Sequence, residues 1–255
     1  MEHDEGMTLV EHLTELRKRI IWVLLVLIVG MVIGLLVAKP LINYLKSVSP
    51  IANLDWYVFS PWDAIKMYMS FSLVTGLLVT LPFALYQIWA FLKPGLREVE
   101  QKASLIFIPF AFLMFLLGLA FGYFIVFKMA LLFTTAISQS MELKENFGIS
   151  QYFSFMFNIL IPIALVFELP IVVMFLTKIR LLNPLLLRKL RRYAYLALVV
   201  IATMITPPDA VSAIIVAVPM IILYEFSVYL SALVYRKQLQ QDQAWEAESS
   251  AKSVE

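Results

Sequence analysis

The chain has 255 residues, of which 62% are apolar and only 15% charged. A soluble domain is about 45–50% apolar and about 25% charged, so the solvent of this chain is lipid. Cysteine is absent and His3 and His12 are the only histidines, which excludes a disulfide framework and a thiolate or histidine metal cage, and a net charge of +2 says less than where the charges lie.

Thr8 with Glu11 reads as a capping box that opens a short amphipathic helix with Leu9, Leu13, Leu16 and Ile20 along one side. This helix leads into a first apolar span at about residues 20–38. That span ends in Val37-Ala38-Lys39 with no small-residue cleavage site and is expected to stay in place rather than be removed as a signal peptide. Ser60-Pro61-Trp62-Asp63 combines a hydroxyl cap, a proline where no donor is needed and an acid at the positive helix end. It opens a second span at about 67–92, which Pro94-Gly95 closes. Third and fourth spans follow at about 103–127 and 153–177. Asn183-Pro184 repeats the cap-then-proline device ahead of a fifth apolar run, Tyr193 to Thr206. At about 14 residues, or roughly 21 Å as a helix against a hydrocarbon core of about 30 Å, this run is either a short span or a re-entrant piece. Thr206-Pro207-Pro208-Asp209 is a second outer cap, starting a sixth span at about 211–235. The polar, glutamine-rich segment from Arg236 reads as a disordered tail, so the expected organisation is one polytopic membrane domain over 1–235 and a tail over 236–255.

Charge decides the fifth run. If it spans, Arg17, Lys18, Arg19, Lys93, Arg97, Lys102, the cluster from Lys178 to Arg192 and Arg236, Lys237 and Lys252 all face one side, leaving only Lys39, Lys46, Lys66, Lys128 and Lys144 on the other. The positive-inside rule then places both termini in the cytoplasm of a six-span, all-α protein of the bacterial inner membrane. Pro82, Pro109, Pro162, Pro170 and Pro219 lie within spans, where each frees a carbonyl and bends its helix, so a bowed bundle with a concave face is expected. Gly30-x-x-x-Gly34 and Gly118-x-x-x-Gly122 are close-packing seams, within one molecule or between copies, so self-association stays open.

No phosphate-binding lysine loop, dinucleotide fingerprint, histidine metal motif or serine elbow occurs, so no cofactor, no nucleic-acid partner and no enzymatic activity are expected. Carboxylates are the leads. Glu168 and Glu225 lie inside apolar spans, where an acid costs on the order of 2.5–3.5 kcal/mol. Each sits roughly 15 Å above the basic end of its span, a depth at which the two could share one polar pocket. They are either interhelical hydrogen-bonding glue or a contact site for a partner or substrate. Glu15 can pair with Arg19 four residues on, and Glu100 suits the positive start of a helix, yet carboxylates flanking a lipid-facing groove also suit a ligand with guanidinium groups ahead of an apolar segment.

Four motifs carry a resemblance. His12-Leu13-x-Glu15-Leu16-Arg17-x-Arg19, Phe91-x-x-Pro94-Gly95-Leu96-x-x-x-Glu100, Phe167-Glu168-x-Pro170 and Thr206-Pro207-Pro208-Asp209 resemble, in order, those of the TatC family, the large subunit of the twin-arginine protein translocase. The resemblance covers roughly residues 8 to 235; Lys128 after Phe127, where relatives usually place proline, is a departure at a span boundary. It implies a receptor that exports folded proteins bearing paired-arginine signal peptides. Its implied partners are single-span TatA-type and TatB-type subunits, with the proton-motive force as the energy source. Glu15 and Glu100 match the positions that recognise the arginine pair, with Leu13, Leu16, Arg17, Phe91, Pro94 and Leu96 shaping that cytoplasmic site. Glu168 matches the polar residue of the groove where partner helices pack, Glu225 is a weaker match, and Pro207, Pro208 and Asp209 match the outer cap.

Two rivals from other classes are a secondary transporter and a membrane-embedded enzyme. The first usually shows paired internal repeats and helices unwound at the midplane, and no matching halves occur here. The second needs a nucleophile, base or metal constellation within a span, and none is present.

Overall fold

The computed structural model describes residues 9–48, 56–93, 107–142, 147–206 and 210–252. In chain order the elements are α1 (Leu9–Val48), β1 (Trp56–Tyr57), α2 (Trp62–Leu92), α3 (Phe107–Phe121), a π-helical segment (Gly122–Phe127) and α4 (Lys128–Ser140). They continue with β2 (Phe147–Gly148), α5 (Ile149–Phe167), α6 (Leu169–Lys178), α7 (Pro184–Ile205) and α8 (Ala210–Lys252). Five stretches are helical, long and apolar enough to cross a membrane: Leu13–Ser47, Trp62–Phe91, Ile108–Ser140, Ile149–Lys178 and Ala210–Gln243. The fifth expected span falls in α7, whose first half carries Arg188, Lys189, Arg191 and Arg192, so this helix is less apolar than the other five stretches.

Contacts group the chain into two units. The first comprises residues 1–112 and 145–157. In it α1 and α2 run antiparallel, and the first glycine pair is the reason they approach closely. A Cβ on Gly34 would lie 2.8 Å from both Cα and O of Ser72, and one on Gly30 would lie 3.1 Å from Gly76 Cα. Ser72 Oγ also donates to Met31 O at 2.5 Å, a polar clasp in an otherwise apolar seam. This glycine pair therefore packs within the molecule. Ser60 Oγ accepts from Trp62 N at 3.3 Å, and the Asp63 carboxylate accepts from the Ser60 and Phe59 amides at 3.0 Å each, so the expected cap forms as a capping box at the start of α2. The Thr8–Glu11 box lies outside the described residues. Parallel pairing of β1 with β2 brings Trp56 onto Phe153, and Phe71 meets Phe153 and Phe157 edge-on at 5.0 and 4.9 Å.

The second unit comprises residues 113–144 and 158–255. Gly118 seats against Ala164, where an added Cβ would lie 2.7 Å from Cα, while Gly122 leaves 3.4 Å to Leu160. Three helix boundaries differ from the expected ones. The third stretch does not end at Phe127. With lysine rather than proline at 128 the helix continues to Ser140, and Thr134, Thr135, Ser138 and Ser140 return their hydroxyls to carbonyls three or four residues back. The fourth stretch is interrupted at Glu168, because Pro170 has no amide to continue the ladder. Pro82, Pro162 and Pro219 lie inside uninterrupted α2, α5 and α8, and Pro109 lies in α3. Finally, α8 does not give way to a disordered tail at Arg236 but runs to Lys252. Two contacts hold its extension: buried Gln238 donates to Lys178 O at 2.7 Å, and Arg180 pairs with Asp242 at 2.8 Å.

Asn183 caps α7 as expected, its Oδ1 accepting from Leu186 N at 2.7 Å. The Thr206 hydroxyl donates back to Ala202 O at 2.9 Å at the end of α7. Pro207, Pro208 and Asp209, the remainder of the expected outer cap, lie outside the described residues.

Candidate functional site

Glu15 stands on the exposed N-terminal part of α1, and its partner is the one the helical spacing predicts. Arg19, one turn on, reaches back so that Nε donates to Glu15 Oε1 at 3.0 Å and Nη2 donates to the same oxygen. The spacing did not disclose where the rest of the guanidinium goes. Nη1 donates to Gln87 Oε1 at 3.0 Å and Nη2 to Ala90 O at 3.0 Å, both on α2. Arg19 thus fixes Glu15 in place and ties the two helices together. Glu15 Oε2 has no hydrogen-bond partner among the described residues, and the side chain is about a quarter exposed.

Directly beside this cluster α1 and α2 leave a cleft of about 220 Å³. Leu16, Ile20, Val23 and Leu24 form one wall and Ala84, Ile88 and Phe91 the other, with Arg19 and Gln87 at its polar head. Leu16 and Phe91, both expected from sequence, are therefore brought together. Leu13 and Arg17 are exposed on α1 outside the cleft lining. Pro94, Leu96 and Glu100 lie outside the described residues. Gln87 is the member that sequence reasoning missed; the signal available was a lone amide in an apolar run, four residues before Phe91 and so on the same helix face.

The two intramembrane acids are separated in kind. Glu225 on α8 accepts from Arg191 Nη2 at 2.6 Å and from Tyr195 Oη at 2.5 Å, both on α7. Its neighbour Tyr224 donates to Leu187 O at 2.8 Å, so this turn of α8 is stitched to α7 through three hydrogen bonds. Glu168, at the break between α5 and α6, is buried, and neither carboxylate oxygen has a partner among the described residues. The polar pocket around Glu225 does not include Glu168, so the shared pocket expected from equal depth does not form. Depth along a helix does not fix the face on which a side chain lies, and Glu225 faces α7.

The family model described as "Sec-independent protein translocase protein (TatC)" matches residues 11–219. The chain belongs to the TatC family. It is 40% identical over 235 residues to TatC of Halalkalibacterium halodurans, covering 92% of this chain and 93% of that one. It is 42% identical over 231 residues to TatCy of Bacillus subtilis, covering 91% of each. A crystal structure of the twin-arginine translocase receptor TatC superposes with a TM-score of 0.73 at 30% identity, over 88% of this chain and 99% of that one. Membership makes the chain a multi-pass component of the Sec-independent protein translocase, a transport protein. The apolar cleft headed by Arg19 and Gln87, with Glu15 held beside it by Arg19, lies inside the stretch that matches the TatC family.

Proposed function

We propose that the chain is the signal-peptide receptor and core subunit of a twin-arginine translocase. It resides in the bacterial cytoplasmic membrane with both termini on the cytoplasmic side and exports folded proteins at the expense of the proton-motive force. The observation that carries this reading is the open Oε2 of Glu15, held by Arg19 beside the head of the apolar cleft. A guanidinium offers parallel donors to a carboxylate and a lysine ammonium does not, so a segment with paired arginines followed by apolar residues matches both parts of the site. Arg19 supports the recognition by holding Glu15 in one orientation before the ligand arrives. Glu100 is the second carboxylate of the site by its motif, with Leu13, Arg17, Pro94 and Leu96 completing its surroundings.

Sorting of the basic residues supports the N-in, C-in orientation, and with it α7 as a sixth crossing and proline-bent helices around it. Glu168, buried without a hydrogen-bond partner at a helix break, is suited to meet a polar group brought by a single-span TatA-type or TatB-type subunit, or by the inserted signal peptide. Neither nucleotide nor metal is required for any of these steps. The test is photo-crosslinking of a signal peptide to the protein in membranes, comparing paired arginines with paired lysines and native protein with Glu15→Ala and Glu100→Ala. Crosslinking that needs both arginines and both glutamates is expected. Equal crosslinking with lysines, or indifference to both glutamates, would refute the site.

A further inference from the structure

A second pocket, of about 330 Å³, lies between α7 and α8, remote in sequence from the cleft of α1 and α2. Arg188 and Arg191 of α7 and Arg236 of α8 line its polar part, and Tyr229 and Leu233 its apolar part. Glu225, the acid at its edge, is already paired with Arg191 and accepts a hydrogen bond from Tyr195, so Arg188 and Arg236 leave the pocket with an excess of positive charge. Arg188 and Arg236 are exposed and have no hydrogen-bond or ion-pair partner among the described residues. The Nε of Arg191 is buried with no acceptor, an unmet donor inside the pocket wall. On α8 the chain turns from apolar to basic at Tyr235–Arg236, while Arg191 of α7 lies level with Glu225, roughly 15 Å farther up α8, so the pocket runs from the headgroup level at Arg236 toward the acyl chains.

We propose that this pocket binds the phosphate headgroup of an anionic phospholipid, with the guanidinium groups of Arg188, Arg191 and Arg236 as donors and the exposed faces of Tyr229 and Leu233 against its acyl chain. Guanidinium groups match phosphate oxygens in two-point fashion, and basic pockets between membrane helices at the headgroup level favour anionic lipids. A free phosphate satisfies the arginines but leaves the apolar half of the pocket uncovered. The site requires only that α8 cross the boundary at Arg236, and it stands independently of the signal-peptide reading.

Native mass spectrometry tests it, with the full chain in detergent supplied with equal amounts of phosphatidylglycerol and phosphatidylcholine. Native protein is expected to retain phosphatidylglycerol preferentially. The double variant R188Q/R236Q, which alters two exposed side chains, is expected to lose that preference by about 30-fold, from about fivefold for each guanidinium. R188K/R236K is expected to restore most of it, which a general disturbance of the helices would not allow. Equal retention of phosphatidylglycerol by R188Q/R236Q, retention of phosphatidylcholine as strong as that of phosphatidylglycerol, or displacement of the bound lipid by millimolar inorganic phosphate would overturn the proposal.

Discussion

Arg19 on α1 donates to Gln87 on α2 at 3.0 Å, so the guanidinium that orients Glu15 is itself held by the neighbouring helix. An arginine that served only Glu15 would be an ordinary surface pair of small energetic value. Held at both ends, it turns Glu15 into a fixed acceptor.

From this follows a graded expectation for binding of a paired-arginine peptide. Glu15→Gln removes the charge-assisted acceptor and is expected to weaken binding by about 10- to 100-fold. Gln87→Leu leaves Glu15 intact but loosens Arg19 and is expected to have a smaller effect in the same direction. Fluorescence anisotropy with a labelled signal peptide measures both. A Gln87→Leu loss larger than that of Glu15→Gln would mean that the amide, not the carboxylate, is the recognition group.

The glycine seams predict opposite responses to one added methyl group. Gly34→Ala and Gly118→Ala place Cβ within 2.8 and 2.7 Å of backbone atoms, so each is expected to cost about 1–3 kcal/mol as helices are forced apart. Gly122→Ala meets Leu160 at 3.4 Å, an ordinary contact, and is expected to be close to neutral. Thermal unfolding in detergent ranks the three. A destabilised Gly122→Ala beside an unaffected Gly34→Ala would contradict the described packing.

Glu168 offers a separation of stability from function. A buried carboxylate without partners destabilises the fold, so Glu168→Leu is expected to be neutral or stabilising in a melting experiment. Export of a reporter protein is expected to fall in the same variant. Full export activity would mean that the acid has no role in transport; disappearance of the protein from the membrane would mean that its role is structural.

The extension of α8 beyond Arg236 is open to direct inspection. Spin labels placed one at a time over residues 236–243 are expected to show helical periodicity, with the label at 238 immobilised because Gln238 is buried against the end of α6. Gln238→Ala is expected to weaken protection from hydrogen exchange in this segment. Uniformly fast label motion from 236 onward would restore the disordered tail.

Much of this was legible in the chain alone, for a physical reason. A crossing of the bilayer requires about 20 apolar residues at about 1.5 Å each, a local property that composition reports directly. For that reason the five long apolar stretches, the Asn183 cap and the Ser60–Asp63 box are readable without a partner helix in view. The pairing of Glu15 with Arg19 is equally local, since it closes within one helical turn. What only the tertiary structure decided are the relations between residues distant in the chain. Gly34 lies on Ser72, Gln87 holds Arg19, Arg191 and Tyr195 take Glu225 while Glu168 stays without a partner, and Gln238 extends α8 by reaching Lys178. In a soluble helix the spacing of apolar residues points to the buried face. In lipid both faces are apolar, so the sequence marks where each helix crosses but not which side it turns toward its neighbour, and packing alone supplies that choice.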